Sequence, residues 1–497
     1  MYEILKNRDR RFDGRFFFGV TSTGIYCRPI CPSRRPKREN CRFFESAAAA
    51  ESAGFRPCLR CRPELAPGED INGASVSEAS MSEGSRRGAF DEERLAGLAA
   101  RALRCEELEA GGIEKIAATL GVSDRHLRRV FVSRYGVSPV RYAQTCRLLF
   151  ARRLILETRL PCTQVAMASG FGSVRRMNAL FRQRYRCNPM ELRRGATADQ
   201  TAGSVALRLF CRPPYAWREL LDFLALRAVE GVEEVRDATY RRVVALESKG
   251  DFYRGWITVS RDEGSPAFGG SVVLKAEVSL SLVPVLGRVV SRLKRLFDTD
   301  SRPEDVEKAL GNMTEARPGL RVPGCFDAFE MSVRAVLGQQ ITVKAARTLT
   351  TRLVETLGER AETPFPTLYR TFPTPQKLLE TDGDTLGRMG VVRSRQRALR
   401  ALADFALSGG LEPRADIEGQ IRDLRKLSGV GEWTAQYVAM RALDWPDAFP
   451  HTDYAVKTAM GNMPPGDILK TAERWRPWRA YATMYLWLGH GEKDMRR

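Results

Sequence analysis

One stretch of the chain combines a lone acid with a turn that suits an anion. Asp453 follows a turn bracketed by Gly429 and Gly431 and a helix predicted from Trp433 towards Leu443 by its apolar periodicity. Glycines let backbone N–H groups approach an anion closely, and a helix N-terminus adds its dipole at the same place. We therefore predict that this stretch grips a DNA backbone while Asp453 acts on an extruded base, although such turns are also common without a site.

A second set of residues that could do chemistry is two close cysteine pairs, Cys27-x3-Cys31 and Cys58-x2-Cys61. Four soft thiolates at this spacing suit tetrahedral zinc, and closed four-cysteine sites are usually structural, so a purely structural ion stays open as an alternative. Eleven cysteines, none of them beyond Cys325, do not indicate a disulfide framework. Cys41 lies outside the pairs and is predicted to be a small buried filler.

Length and charge limit the classes of protein to which the chain can belong. Its 497 residues are too many for one core, and 80 Lys and Arg against 60 Asp and Glu give a net charge of +20. This excess favours a polyanionic partner, and nucleic acid fits better than a membrane surface. The N-terminus has no apolar signal region and no segment reaches the ~18 apolar residues of a spanning helix, so we expect a cytoplasmic or nucleoid-associated protein.

The residues around the cysteine pairs carry a resemblance to a known family. Across residues 10 to 66, with the segments Gly24 to Pro29 and Gly54 to Cys61, the chain resembles the N-terminal domain of the Ada adaptive-response regulators. The resemblance implies that Cys27 is both a zinc ligand and the irreversible acceptor of a methyl group from a methylphosphotriester in DNA. It implies that the zinc site is completed by Cys31, Cys58 and Cys61. It also implies phosphate contacts, for which solvated side chains are the alternative, by Thr23, Arg34, Arg56 and Arg60.

An internal repeat follows a segment rich in Ser, Gly and Glu at residues 67–92, which is predicted to be a flexible linker. Each repeat has an amphipathic helix, a glycine turn and a second helix N-capped by Ser123 or Ser173, and each ends in Phe-x3-Tyr-x3-Pro. The tandem over residues 95 to 194 resembles the DNA-binding domain of AraC-type regulators, whereas a single unit could be a plain structural domain. It implies that recognition helices enter successive major grooves. The side chains expected to face bases and phosphates are Arg125, His126, Arg128, Arg175 and Arg176.

After a second linker at 195 to 204, the pattern over residues 204–300 predicts a small antiparallel sheet backed by helices. The predicted strands and helices are Val205–Leu209, Trp217–Ala228, Arg241–Ala245, Trp256–Val259, Val272–Leu274 and Pro284–Leu296. The stretch from Pro213 to Ala228 resembles the N-terminal subdomain of AlkA-type 3-methyladenine DNA glycosylases. That resemblance implies that Phe223 lines a base pocket, and core packing is the alternative.

Residues 301–497 are predicted to be helical, and here the chain resembles the helix-hairpin-helix, Gly/Pro-loop, Asp superfamily of DNA glycosylases. The resemblance implies that Asp453 either stabilises an oxocarbenium-like sugar or orients water. It implies DNA contacts by Gly429 and Gly431 and a wedge at Gln339 and Gln340, where some relatives have an apolar second residue. The cationic alkylated base would stack in a π-rich pocket of Trp433, Tyr437, Trp487 and Phe223, whereas Trp475 and Trp478 are assigned to packing.

Two details narrow this chemistry. Trp433 stands where lyase-competent relatives carry a Schiff-base lysine, so we expect cleavage of the N-glycosidic bond alone. Relatives with an iron–sulfur cluster need four late cysteines, and since none follows Cys325, we expect no cluster.

Together these patterns predict a multidomain, mainly α protein with small α+β parts. Its domains are a zinc domain (1–66), a linker (67–92), a tandem helix-turn-helix (93–195), an α+β subdomain (204–300) and a helix-hairpin-helix glycosylase domain (301–497). We expect a bifunctional DNA alkylation-repair protein. It would be a glycosylase for purines of the 3-methyladenine and 7-methylguanine type and a methylphosphotriester-sensing transcription regulator. The alternative is a regulator whose glycosylase-like half is a non-catalytic DNA clamp.

The expected cofactor is one zinc ion. The expected partners are double-stranded DNA, either alkylated or carrying a promoter, and RNA polymerase. We expect no membrane contact and a monomer.

Overall fold

The protein consists of two compact units, each built from several segments of the chain. The structure, a computed structural model, describes residues 1–68, 83–105, 112–193, 203–264 and 271–495. Unit 1 comprises Met1–Pro213, Val259–Ser291 and Thr299–Arg302, and unit 2 comprises Pro214–Thr258, Arg292–Asp298 and Pro303–Arg497. The predicted subdomain at 204–300 is therefore divided between the two units. Most of the predicted linker at 195 to 204 lies outside the described residues.

The first 68 residues of unit 1 form a four-stranded sheet with two helices. The elements are α1 (Tyr2–Asn7), β1 (Phe17–Val20), β2 (Ile25–Cys27), β3 (Cys41–Phe44), α2 (Ala47–Ser52) and β4 (Arg56–Pro57). The strand order is β3-β1-β2-β4, and only the β2–β4 pair is parallel. Because Tyr26 lies opposite Pro57 in that pair, Cys27 at the end of β2 and Cys58 after β4 emerge at the same edge. The sheet thus brings the two cysteine pairs together.

The next part of unit 1 is helical, as predicted. The helices are α3 (Glu83–Cys105), α4 (Gly112–Leu120), α5 (Asp124–Tyr135), α6 (Pro139–Glu157), α7 (Cys162–Ala168), α8 (Val174–Tyr185) and α9 (Pro189–Arg193). Ser123 Oγ accepts a hydrogen bond from the N–H of His126 (3.3 Å), and Ser173 Oγ accepts one from the N–H of Arg176 (3.2 Å). Both predicted N-caps are therefore confirmed. The linker prediction is wrong for residues 83–92, which form the start of α3, and residues 69–82 lie outside the described residues.

A buried carboxylate joins the cysteine-bearing sheet domain to these helices within unit 1. Glu51 on α2 accepts hydrogen bonds from the hydroxyls of Tyr26 (3.1 Å) and Tyr185 (3.0 Å) through Oε1. Its Oε2 accepts from Arg184 Nη1 (3.2 Å) on α8 and from Thr145 Oγ1 (3.4 Å) on α6. One side chain thus connects β2, the strand that carries Cys27, to the second repeat.

Residues 204–296 contain the remaining strands and two helices. The elements are β5 (Ser204–Cys211), α10 (Trp217–Arg227), β6 (Glu233–Arg236), β7 (Thr239–Ser248), β8 (Asp251–Arg261), β9 (Val272–Ser279) and α11 (Leu286–Leu296). In unit 1, β5 pairs antiparallel with β9, and in unit 2 the strand order is β8-β7-β6. The helix start predicted at Pro284 is wrong. Since proline has no N–H to donate, it fits the 3₁₀ segment Leu280–Val285, and the α-helix begins only at Leu286.

Beyond residue 302 the named elements of unit 2 are helices, and residues 358–374 form a loop with an isolated bridge between Arg360 and Arg370. The helices are α12 (Pro303–Leu310), α13 (Ala328–Leu337), α14 (Val343–Leu357), α15 (Pro375–Glu380), α16 (Gly383–Arg388), α17 (Arg393–Leu407), α18 (Ile417–Lys426), α19 (Glu432–Arg441), α20 (Tyr454–Ala459), α21 (Pro465–Ala472) and α22 (Arg479–Met495). Val336 on α13 and Leu399 and Leu402 on α17 are buried, and Trp475 and Trp478 are buried as predicted. The mainly α class with small sheets is confirmed. Among the described helices, none is long and apolar enough to cross a membrane.

The buried position of Glu51 generates a pH prediction. Burial raises the pKa of Glu51 from 4.5 to about 7, so the fold favours its protonated form. Its contribution to stability is therefore complete below the unfolded pKa and is lost as the pH rises through about 7, a change of up to roughly 3 kcal/mol. We expect the midpoint of thermal unfolding of unit 1, followed by calorimetry, to fall between about pH 4.5 and 7.

The variant Glu51→Gln carries no charge at any pH and should lose this part of the pH dependence. Glu45→Gln, at an exposed position beside the same helix, is the matched control and should retain it. Equal pH dependence in the wild type and Glu51→Gln would contradict the prediction.

Candidate functional site

The Asp453 carboxylate lies in unit 2 where three helices meet. It precedes α20, and its Oδ1 accepts hydrogen bonds from the N–H groups of Ala455 (3.0 Å) and Val456 (3.2 Å). The indole N–H of Trp487 on α22 donates to Oδ1 at 3.0 Å, and that of Trp433 on α19 donates to Oδ2 at 2.8 Å. Oδ1 thus accepts three hydrogen bonds and Oδ2 accepts one, which fixes the orientation of the group and leaves Oδ2 able to accept another. None of the four donors was predicted as a partner of Asp453.

The four aromatic residues predicted to line a pocket are brought together beside Asp453, and we call them the aromatic cluster. The rings of Trp433 and Tyr437 are nearly parallel, with centroids 5.1 Å apart, and those of Tyr437 and Trp487 are 6.1 Å apart. Phe223 on α10 is buried and stacks on Trp487 at 6.2 Å and 13°. Phe223 therefore packs as a core residue does and also belongs to the cluster.

Two arginines that the sequence prediction missed border the aromatic cluster. Arg441 Nη1 donates a hydrogen bond to the Tyr437 hydroxyl at 2.9 Å, and Arg227 Cζ lies 3.7 Å from the centroid of the Phe223 ring. Burial lowers the pKa of Arg227 to about 10. The signal that could have found both is helical spacing, since Arg227 follows Phe223 by four residues and Arg441 follows Tyr437 by four.

The glycine turn joins α18 to α19 as a helix-hairpin-helix. Gly429 has a φ of 78°, and a Cβ there would lie 2.8 Å from that of Ala398, so the position requires glycine. Gly431 is the N-cap of α19, no side chain caps the helix, and the space around its Cα is open. The first N–H groups of α19 therefore have no side-chain cap. Such uncapped donors at the start of a helix suit a phosphate.

The two glutamines of the predicted wedge have different surroundings. Gln339 Nε2 donates to the carbonyl of Gly429 and to Thr434 Oγ1, both at 2.8 Å, and Arg395 donates to its backbone carbonyl. Gln340 is exposed, with a left-handed φ of 57°. The side chain of Gln339 thus connects the end of α13 to the hairpin turn through hydrogen bonds that we did not predict. Gln340 keeps the exposed position that a wedge requires.

The four cysteines in unit 1 form one compact group. The sulfurs of Cys27, Cys31, Cys58 and Cys61 lie within 4.8 Å of one another, and all four residues are buried. Sulfurs around one tetrahedral zinc ion are about 3.8 Å apart, from Zn–S bonds of ~2.3 Å. Hydrogen bonds among the sulfurs raise the pKa of Cys27 and lower that of Cys31 to about 7. A divalent cation replaces such shared protons, so the donor set fits zinc.

The residues predicted to hold phosphate around this group are exposed, and their role stays a prediction: Thr23, Arg34, Arg56 and Arg60. Arg28, which follows Cys27 directly, is fully buried. Its Nε donates to Asp13 Oδ1 at 2.8 Å and its Nη1 to the carbonyl of Cys61 at 3.1 Å. The prediction of a buried Cys41 is wrong, because this residue begins the edge strand β3 and is partly exposed.

The basic side chains of the predicted recognition helices α5 and α8 differ in exposure and in their contacts within the protein. Arg125, Arg175 and Arg176 are exposed. Arg128 Nε instead donates to Asp124 Oδ2 at 2.8 Å, and Arg129 Nη2 contacts His126 Nδ1 at 3.2 Å. Contact of Arg128 with DNA would therefore require it to exchange the Asp124 carboxylate for a phosphate.

Comparison with known proteins assigns the chain to a family. Four family models match it: metal binding domain of Ada (residues 1–64), helix-turn-helix domain (116–195), AlkA N-terminal domain (206–327) and HhH-GPD superfamily base excision DNA repair protein (333–473). A Mycobacterium tuberculosis protein named probable bifunctional transcriptional activator/DNA repair enzyme AlkA is 36% identical over 508 residues, covering 98% of this chain and 95% of that protein. The chain belongs to this bifunctional AlkA family.

Relatives of narrower scope also match this member of the bifunctional AlkA family. DNA-3-methyladenine glycosylase 2 of Escherichia coli is 41% identical over 282 residues, which cover 56% of this chain and 96% of that protein. Regulatory protein ada of Salmonella typhimurium is 34% identical over 166 residues, covering 33% of this chain and 40% of that protein. The predicted combination of an Ada-type zinc-binding domain, a helix-turn-helix domain and AlkA-type glycosylase domains is confirmed.

The contrast between the two glutamines can be tested without DNA. Gln339→Ala removes two hydrogen bonds between α13 and the hairpin, so we expect the free energy of unfolding of unit 2 to fall by about 1–3 kcal/mol. Gln340→Ala removes an exposed side chain and should change it by less than about 0.5 kcal/mol. Thermal or denaturant unfolding of the two variants measures both values, and equal destabilisation would refute the distinction.

Proposed function

We propose that this member of the bifunctional AlkA family is a DNA alkylation-repair protein with two activities. The first is a glycosylase that excises alkylated purines of the 3-methyladenine and 7-methylguanine type. The second is a methylphosphotriester sensor that regulates transcription. The observation that carries the glycosylase proposal is the Asp453 carboxylate, held by two indole N–H groups and two backbone N–H groups beside the aromatic cluster. The HhH-GPD match over 333–473, which contains Asp453, supports it.

The proposed reaction is hydrolysis of the N-glycosidic bond of an extruded nucleotide. The bond between C1′ and the base nitrogen breaks, and its electron pair leaves with the base. The sugar then carries positive charge, which a fixed carboxylate stabilises. Water adds to C1′ and gives up its proton to solvent, leaving an abasic sugar and a free base. An alkylated purine that already carries a positive charge leaves with a low barrier.

Of the two roles open for Asp453, we favour stabilisation of the sugar cation. The four hydrogen bonds to its oxygens come from groups on helices and hold the carboxylate in one orientation, as electrostatic stabilisation of a developing cation requires. Trp433 occupies the position of the lyase lysine and donates to Asp453 instead. We therefore propose a monofunctional glycosylase without lyase activity.

Asp453→Asn tests the glycosylase. It keeps the size of the side chain but removes the charge, so release of 3-methyladenine from methylated DNA should fall by about 100-fold or more. Chromatography of the released bases measures this. Asp467→Asn, an exposed acid on α21, is the matched control and should retain full activity. If the wild type and Asp453→Asn release base equally poorly, the protein is the non-catalytic clamp of the alternative prediction.

The sensor proposal rests on the group of four cysteines, with Cys27 as the methyl acceptor. The Cys27 sulfur attacks the methyl carbon of a methylphosphotriester. A sulfur–carbon bond forms, the carbon–oxygen bond breaks, and the electron pair stays on the phosphate oxygen, which becomes an ordinary diester anion. A zinc ion bound by the four cysteines would keep their sulfurs as thiolates at neutral pH.

Methylation of Cys27 removes one negative charge from the metal site. Less negative charge facing DNA should strengthen binding of the basic helix-turn-helix domain to a promoter. The connection of Tyr26, next to Cys27, through Glu51 to α8 offers a mechanical route for the same signal. An activator of this kind would also contact RNA polymerase.

Intact mass and peptide mapping after exposure to methylated DNA test the sensor. We expect one added methyl group on Cys27 and about tenfold tighter promoter binding, the scale set by one removed charge. Cys41→Ala is the matched control and should retain both effects, whereas Cys27→Ala should lose both. An adduct on Cys41, or methyl-dependent activation in Cys27→Ala, would leave the zinc purely structural.

We also propose the finer features of the predicted organisation. These are one zinc ion per chain, no iron–sulfur cluster, a monomer, and the domain limits 1–66, 93–195, 204–300 and 301–497. The absence of cysteine beyond Cys325 supports the proposal that the protein holds no iron–sulfur cluster. Metal analysis and sedimentation of the purified full chain test them.

A further inference from the structure

Arg227 is placed to contact a base in the aromatic cluster. It ends α10, one helical turn after Phe223, and its Cζ lies 3.7 Å from the centroid of the Phe223 ring. A hydrogen bond with Tyr437, another member of the cluster, counteracts part of the lowering of its pKa by burial. The guanidinium thus borders two of the four aromatic side chains proposed to enclose an extruded base.

Arg227 differs from the nearby arginines Arg334 and Arg242 of unit 2 in having no carboxylate partner among the described residues. Arg334 Nη1 donates to Glu233 (2.7 Å) and Glu330 (3.0 Å), and Arg242 also pairs with Glu330. Arg227 Nη1 instead donates to the carbonyl of Phe223 at 3.3 Å, and the other hydrogen-bond partner of the guanidinium is Tyr437. With a pKa of about 10, Arg227 is charged at neutral pH, and its five N–H groups exceed the acceptors around it.

A guanidinium donates hydrogen bonds and never accepts them, and this limits which base edges it can match. A 6-keto purine presents the O6 acceptor, whereas a 6-amino purine presents an N–H₂ donor at the same place. A donor facing a donor leaves both unpaired, which is costly in a desolvated pocket. Positive charge on Arg227 disfavours every cationic base alike, so it does not alter this contrast.

We propose that Arg227 donates a hydrogen bond to the 6-keto oxygen of the extruded base and so makes 6-keto purines preferred over 6-amino purines. The proposal rests on the glycosylase function above. The Arg227 hydrogen bond adds a specificity that stacking on aromatic rings does not provide, because every base has a face that can stack.

Methylated DNA contains both kinds of base, so one reaction measures the preference. Arg227→Met should lower release of 7-methylguanine, a 6-keto base, on the order of tenfold or more, the loss of one hydrogen bond from a charged donor. Release of 3-methyladenine, a 6-amino base, should stay within about twofold. Arg227→Gln offers an acceptor as well as donors and should raise the ratio of 3-methyladenine to 7-methylguanine further. Arg218→Met, on the same helix with 92% of its side chain exposed, is the matched control.

The outcomes separate this proposal from the function on which it rests. Release of neither base by the wild type would overturn the glycosylase function. Release of both bases by the wild type, with an equal change or no change in Arg227→Met, would overturn the role of Arg227 alone. Thermal unfolding of each variant accompanies the assay. If the variants do not fold, the role of Arg227 is tested instead by inhibition of the wild type with free 7-methylguanine and free 3-methyladenine. Tighter inhibition by 7-methylguanine supports the proposal, and equal or weaker inhibition overturns it.

Discussion

Unit 2 depends on the four hydrogen bonds that hold the Asp453 carboxylate beside the aromatic cluster. A partly buried carboxylate oxygen that loses its hydrogen-bond partners costs free energy. The four donors come from α19, α20 and α22, so satisfying one side chain fixes three helices relative to one another. The same indoles that hold Asp453 belong to the aromatic cluster. The position of the Asp453 carboxylate and the arrangement of the aromatic cluster therefore depend on the same two tryptophans.

In unit 1, buried carboxylates likewise hold several elements together. Glu51 is almost completely buried and joins β2 to α6 and α8, and Glu64 pairs with Arg152 on α6. Removing one partner of such a pair leaves a buried charge alone, so these contacts fix which surfaces meet more than they add to stability. They also take arginines out of reach of DNA. The count of 80 Lys and Arg therefore overstates the number of basic side chains at the surface, since Arg28 and Arg152 are fully buried.

Features encoded by neighbouring residues could be predicted from the sequence, whereas those set by distant partners could not. Ser123 and Ser173 cap helices because the N–H groups that donate to them lie three residues away, and the cysteine pairs need only short spacings and one strand pair. By contrast, Gln339 reaches Gly429 across 90 residues, and Arg28 finds Asp13 in a buried pair. A basic residue looks alike in sequence whether it faces DNA or a buried carboxylate. Polar residues of the candidate site are for that reason harder to assign than its glycines.

The arginines beside the aromatic cluster alter what its rings can recognise. A π-rich pocket attracts a cationic base through the negative faces of its rings. Here the faces of Phe223 and Tyr437 already have guanidinium groups near them, Arg227 at 3.7 Å and Arg441 at 5.7 Å. Those faces contribute less attraction to a second cation, and the repulsion between like charges opposes it. Stacking then falls mainly to Trp433 and Trp487, and discrimination moves from the faces of the base to its edges, where a donor-only group distinguishes one purine from another.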